Sequence, residues 1–187
     1  MIPPSKRSRS GGFTLIELLV SMAVLMLLLL LVGPYLAKFL QRSKLQGTVN
    51  LTATMMRMAR IQAIKQSTLG VVRLEPAVNT PYGPHVLAFV DLDRNGTFGD
   101  GEPLLGRVPL ERGITFLPTV GFGANGAVFQ ESGAAAAAGS FRFADAKGNQ
   151  MEVAVVQAPT ARIEIRKNND LGSWLANGEG GKAWTWK

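Results

Sequence analysis

Apolar positions run almost unbroken near the start of the chain and then change period twice. From residue 13 to 32 the stretch FTLIELLVSMAVLMLLLLLV carries one charge, Glu17. Twenty helical residues at 1.5 Å each match a hydrocarbon layer of about 30 Å, so this stretch predicts a membrane-spanning helix. Beyond Gly33-Pro34 the pattern turns amphipathic. Leu36, Phe39, Leu40, Val49, Met55, Met56, Ala59, Ala63 and Ile64 recur at three- and four-residue spacings among Lys38, Arg42, Lys44, Arg57, Arg60 and Lys65. A proline removes a helical hydrogen bond and favours a kink, yet the period resumes past Pro34. The pattern therefore predicts one helix over residues 13–67, roughly 80 Å long, with 13–32 in the membrane and 33–67 amphipathic. Met55, Met56 and Met58 read as adaptable core packing.

From residue 69 the period shortens to two. Eight β-prone runs, 69–75, 85–92, 104–110, 114–117, 127–130, 141–145, 151–157 and 161–167, are separated by Gly, Pro, Asn and Asp, and predict antiparallel strands in an outer domain over 68–187. Between them, residues 133–139 are five alanines bounded by glycines and predict a mobile loop. The fold class expected is α+β: a long N-terminal helix packed on an antiparallel sheet or β-sandwich.

Charge fixes an orientation. Residues 1–12 hold Lys6, Arg7 and Arg9 and no acidic residue, which places the N-terminus in the cytoplasm and the bulk of the chain outside. An ordinary secretory signal has such a basic start, but its apolar run is shorter and ends at a small-residue cleavage site, which this one lacks. The whole chain counts 20 Lys and Arg against 13 Asp and Glu; without residues 1–12 it keeps 17 basic residues, a formal +4. That balance alone implies no nucleic-acid partner. With no cysteine, a domain exported to an oxidising compartment must hold together by its core alone.

Glu17 is the costly residue of the apolar run, since an acidic group in a membrane segment marks function by default. The residues around it, Gly12-Phe13-Thr14-Leu15-Ile16-Glu17 behind a basic leader, resemble the signal of type IV pilins and pseudopilins. The resemblance implies that a prepilin peptidase cuts between Gly12 and Phe13, that the new Phe13 amine is methylated, and that Glu17, fifth residue of the product, pairs with the Phe13 amine of a neighbouring subunit. The physics of that role is sound: a carboxylate moved into a packed helical core needs a partner, and an amine is the opposite charge on offer. Without the resemblance the run reads as an uncut signal anchor. Residues 59–65 leading into Gly70-Val71-Val72-Arg73-Leu74 further resemble the stem end and first strand of GspH/FimT-type minor pseudopilins. That family implies a non-enzymatic subunit of a type II secretion pseudopilus or a type IV pilus. It would sit in the bacterial inner membrane with its domain in the periplasm before entering a filament. Its partners would be other pilin or pseudopilin subunits, the prepilin peptidase, the inner-membrane assembly platform and the membrane.

One loop has the makings of a metal site. Residues 91–102, DLDRNGTFGDGE, fit the calcium-loop pattern, with Asp91, Asp93 and Asn95 as side-chain oxygens, Thr97 giving its carbonyl and Glu102 closing the set. The flanks read as strands, not helices. The same Asp and Asn side chains equally suit a long hairpin that satisfies its own backbone. No motif requires a cofactor, and calcium is the one ion the sequence offers a place.

Catalysis finds little to build on. His85 is the only histidine, there is no thiol, and no glycine cluster meets the P-loop spacing. The remaining alternatives are a calcium-binding domain on an anchor and a DNA-binding minor pilin for natural transformation. The latter would use Arg162, Arg166 and Lys167 on a strand whose Ile163 and Ile165 face the core, followed by Trp174, Trp184 and Trp186 interleaved with Lys182 and Lys187. FimT-like pilins that take up DNA carry a basic Gly-Arg-x-Arg; here Ala161 stands for the glycine and Glu164 separates Arg162 from Arg166. The other reading of that end is a tail that tucks its tryptophans onto the sheet.

Overall fold

The computed structural model describes residues 12–75, 82–169, 172–177, 179 and 184–186. The leader residues Lys6, Arg7 and Arg9 and the tail lysines Lys182 and Lys187 lie outside the described residues. The helix α1 (Leu15–Gln66) is continuous over 52 residues and runs through Pro34, as the resumed period predicts. Compact units divide between Leu40 and Gln41, so the helix from Gln41 onward belongs to the outer unit rather than forming a separate stem. In the first unit the apolar side chains lie exposed along the helix, and its hydropathy passes the test of length and composition for a membrane span.

In the outer unit, α1 packs on two antiparallel sheets. The strands are β1 (Leu69–Glu75), β2 (His85–Asp91), β3 (Leu104–Pro109), β4 (Ile114–Val120), β5 (Ala127–Phe129), β6 (Gly139–Asp145), β7 (Gln150–Gln157), β8 (Arg162–Asn168) and β9 (Trp174–Ala176). One sheet has the order β3-β2-β1-β5 and the other β4-β6-β7-β8-β9. Eight of these match the sequence reading to within a few residues. β9 is the addition: three residues among Gly and Asn carry too little alternation to read, and only pairing with β8 makes a strand of them.

The core explains the helix. Leu45, Val49, Ala53, Met56, Ala59 and Ala63 fall at three- and four-residue steps and are fully buried against Val72, Val86, Phe129, Phe141, Phe143 and Val153 from both sheets. Thr48 and Thr52 stay on this face because their hydroxyls donate to the Lys44 and Thr48 carbonyls one turn back. Small residues let the helix come close: a Cβ at Gly70 would run into the Ala59 carbonyl. The methionines divide, Met56 in the core, Met55 partly covered and Met58 exposed.

The alanine stretch 133–139 is pinned. Ala135 is buried, its N–H donates to the Ala158 carbonyl at 2.8 Å, and the Ala136 N–H donates to the Val128 carbonyl at 2.8 Å. Methyl side chains give no periodic signal, so the expectation of a free loop had nothing to read; the backbone hydrogen bonds fix it.

Candidate functional site

Gly12 and Phe13 precede the helix and are exposed. Thr14 is the N-cap: its Oγ1 accepts the Glu17 N–H at 3.3 Å and its carbonyl accepts the Leu18 N–H at 3.2 Å. Thr14-Leu15-Ile16-Glu17 is the T-x-x-E of a capping box, a signal the sequence reading passed over. Capping sets where the helix begins and puts Glu17 in its first turn, where the helix dipole favours a negative charge. The Glu17 carboxylate is exposed and makes no ion pair among the described residues. A carboxylate in an apolar run with no partner among the described residues is suited to taking one from another chain.

The loop 91–102 brings together three of the five expected ligands: carboxylate oxygens of Asp91, Asp93 and Glu102 lie within 4.8 Å of one another. Each also holds the loop's own backbone. Asp91, 1% exposed, accepts the Gly96 N–H through Oδ2 at 2.8 Å and the Asn95 N–H through Oδ1 at 3.2 Å. Glu102 accepts the Leu92 N–H at 2.9 Å and the Gly99 N–H at 2.8 Å, closing the loop across its base. Asn95 is turned aside, its Oδ1 accepting the Thr97 N–H and hydroxyl, both at 2.6 Å. Gly96 makes the turn at φ 73°, in the region glycine prefers. Burial pushes the Asp91 carboxyl above the ordinary carboxylate range; the Gly96 N–H opposes this, and Asp93 and Glu102 add to it. A hard, oxygen-only set of three carboxyl groups is the kind of site a cation such as calcium takes, once the Asp91 proton is displaced.

The basic residues of β8 separate. Arg162 Nη2 lies 2.6 Å from Glu164 Oε1, and Arg166 Nη2 3.2 Å from Glu152 Oε1. Lys167 is buried, with its ammonium 5.1 Å from the centre of the Trp186 ring. Strand alternation puts Arg162 and Arg166 on the outer face while Ile163 and Ile165 pack on the core, as the alternation predicts. Glu152, 2% exposed, sits in register between Arg142 and Arg166 and bonds both, which a strand-by-strand reading of charges does not show. Ala161 takes the left-handed turn at φ 46°, a conformation that explains why a glycine suits this position. Trp184 donates its indole N–H to the Leu175 carbonyl at 3.0 Å, and Trp184 and Trp186 pack against the core, so these tryptophans are a folded tail.

Comparison with known proteins follows this geometry. Residues 48–160, more than half of the chain, match the family model described as type II transport protein GspH, and residues 7–33 match the prokaryotic N-terminal methylation motif. Neither the curated proteins nor the solved structures gave a match. The methylation motif lies over the Gly12–Phe13 junction and the apolar part of α1; the GspH match lies over most of the packed part of α1 and the first seven strands. The chain belongs to the GspH family of pilin-like type II transport proteins.

Proposed function

We propose that the chain is a minor pseudopilin of a type II secretion pseudopilus. It is made as a precursor, held in the inner membrane with its N-terminus in the cytoplasm, cut between Gly12 and Phe13, methylated on Phe13 and assembled through α1. The observation that carries this reading is Glu17: a carboxylate in the first turn of an otherwise uncharged span, five residues past Gly12 and unpaired among the described residues. In a packed filament of such helices it takes the Phe13 amine of a neighbour, because an unpaired charge there would cost several kcal/mol. The role is structural, as in the family.

The test is the intact mass and N-terminal sequence of the protein recovered from membranes of a cell with the matching peptidase. A chain beginning at methylated Phe13 is expected; one beginning at Met1 overturns the reading. Deleting the gene separates the two machines. Lost secretion of exported hydrolases with normal pili supports the type II assignment. Lost pili or DNA uptake with normal secretion assigns the chain to a type IV pilus. For the DNA-binding alternative, the three cations of β8 each already have a partner on their own chain, so the reading needs Arg162→Ala and Arg166→Ala to lower DNA binding by the full chain.

A second reading concerns the loop 91–102. We propose that it takes up calcium weakly through Asp91, Asp93 and Glu102, supported by the approach of their oxygens and by the complete sequence pattern. Calcium should then raise the melting temperature of the full chain in detergent where magnesium does not, and Asp93→Asn should remove the effect. Equal melting with and without calcium would end this reading.

A further inference from the structure

The outward face of the β3-β2-β1-β5 sheet is not a plain solvated surface. Val71, Leu87 and Phe89 are buried there with Val128 in a cluster separate from the main core. The loop 91–102 lies over part of this face, with Phe98 edge-on to Phe89 at 5.5 Å and the Gly96 carbonyl accepting from Arg73 Nη1 at 2.6 Å. Strand register sets Arg73, Leu87 and Arg107 in one row across β1, β2 and β3. Above Leu87 the row and the loop leave a cavity of about 400 Å³, walled by Tyr82, Leu87 and Phe98, with Glu75, His85, Thr97 and the two arginines around it. That volume falls within the range of small-ligand sites.

The two guanidiniums are not equivalent. Arg73 is engaged by Glu75 Oε1, 2.8 Å from its Nε, and by the Gly96 carbonyl. Arg107 has its guanidinium carbon 4.4 Å from the centre of the Tyr82 ring, and among the described residues its buried Nε has no acceptor and no carboxylate pairs with it. A cationic N–H withdrawn from water is costly without an acceptor, so an anion brought to this nitrogen would be favoured. Arg73, Glu75 and Arg107 together carry one net positive charge, which suits a monoanion and not a phosphate dianion. The His85 Nδ1 lies 2.8 Å from the Gly83 carbonyl, an acceptor only, so Nδ1 carries a proton.

We propose that this cavity binds a carboxylate carried on a flat apolar group, with Arg107 as the cation that holds the charge and Tyr82, Leu87 and Phe98 as the walls. Two sources offer that chemistry: a free aromatic acid, or an acidic side chain beside an apolar one on a partner polypeptide. β3 is an edge strand, so Arg107 is within reach of either.

The test follows the Nε–Hε resonance of Arg107 in the full chain in neutral detergent. The probes are phenylacetate and the blocked dipeptide acetyl-Phe-Glu-amide, with phenylacetamide and acetyl-Phe-Gln-amide as neutral counterparts. A saturable downfield displacement by the acids and not by the amides is expected, and Arg107→Met should weaken binding about tenfold or more. Binding of phenylacetate alone supports the site with a small-molecule ligand; tighter binding of the dipeptide supports it with a polypeptide partner. Equal binding of acids and amides reduces the site to an apolar slot and overturns the proposal, as does the absence of any displacement. The wild-type resonance keeps the test decisive if the variant does not fold.

Discussion

Glu17 and Asp91 show what one carboxylate can do in two settings. Glu17 is exposed at a helix start in an apolar run, with no partner among the described residues. Replacing it by leucine removes the group meant for a neighbour without disturbing the span. Glu17→Leu should therefore insert in the membrane and be cut as the natural chain is, yet enter filaments at a small fraction of the normal level, read by shearing and immunoblotting. Normal incorporation would remove the pairing role. Asp91 is buried on its own chain, and its carboxyl is pushed up by that burial. Its native form therefore holds a proton at pH values where the unfolded chain, near about 3.9, has lost it. By linkage this group's contribution to stability is greatest at low pH and falls as pH rises through the raised native value, then levels off. Urea unfolding across a pH series in the presence of a chelator, with carbon NMR of the Asp91 carboxyl, measures it. A native midpoint below about 3.9 would falsify the sign. The motif around Glu17 was fully readable because its residues are consecutive. The Glu152 bridge between Arg142 and Arg166 was not, because its three members are brought together only by strand register.

Elements were readable where their period was long enough to repeat. α1 ends at Gln66, one residue from the position its spacing gives, because its buried positions keep three- and four-residue steps over five turns. Strands with clean alternation were found to within a few residues, while β9 and the pinned alanines carried no periodic signal. The helix–sheet distance was likewise invisible, since it depends on two small residues far apart in sequence, Ala59 and Gly70. A Cβ at Gly70 would meet backbone, which cannot swing away as a side chain tip can. Gly70→Val should destabilise the full chain by about 2 kcal/mol or more, read as a lower urea midpoint at unchanged slope. Gly12→Val, in contrast, changes no packed contact and should act on cleavage alone.

For the whole molecule the folding of the outer unit depends on a closure between its two ends. Trp186, from the end of the chain, lies under two cations, the Arg42 guanidinium at 5.7 Å and the Lys167 ammonium at 5.1 Å, so it joins the start of the packed part of α1 to β8. Trp186→Ala should lower stability by about 1–2 kcal/mol through lost packing and cation–π contact, and should expose Trp184 to an aqueous quencher. Unchanged quenching would mean the tail is held by Trp184 alone. By itself the sequence determined the membrane-length span, the carboxylate of Glu17 behind Gly12 and Phe13, the helix that continues it and eight of nine strands, because each is a local pattern read from neighbours in the chain. Only the tertiary structure decided which charges are paired, that the tryptophan tail is folded, and that the Arg107 Nε has no acceptor among the described residues beside a cavity. Those outcomes depend on which distant residues share a face, and strand register and helix approach set that only when the chain closes.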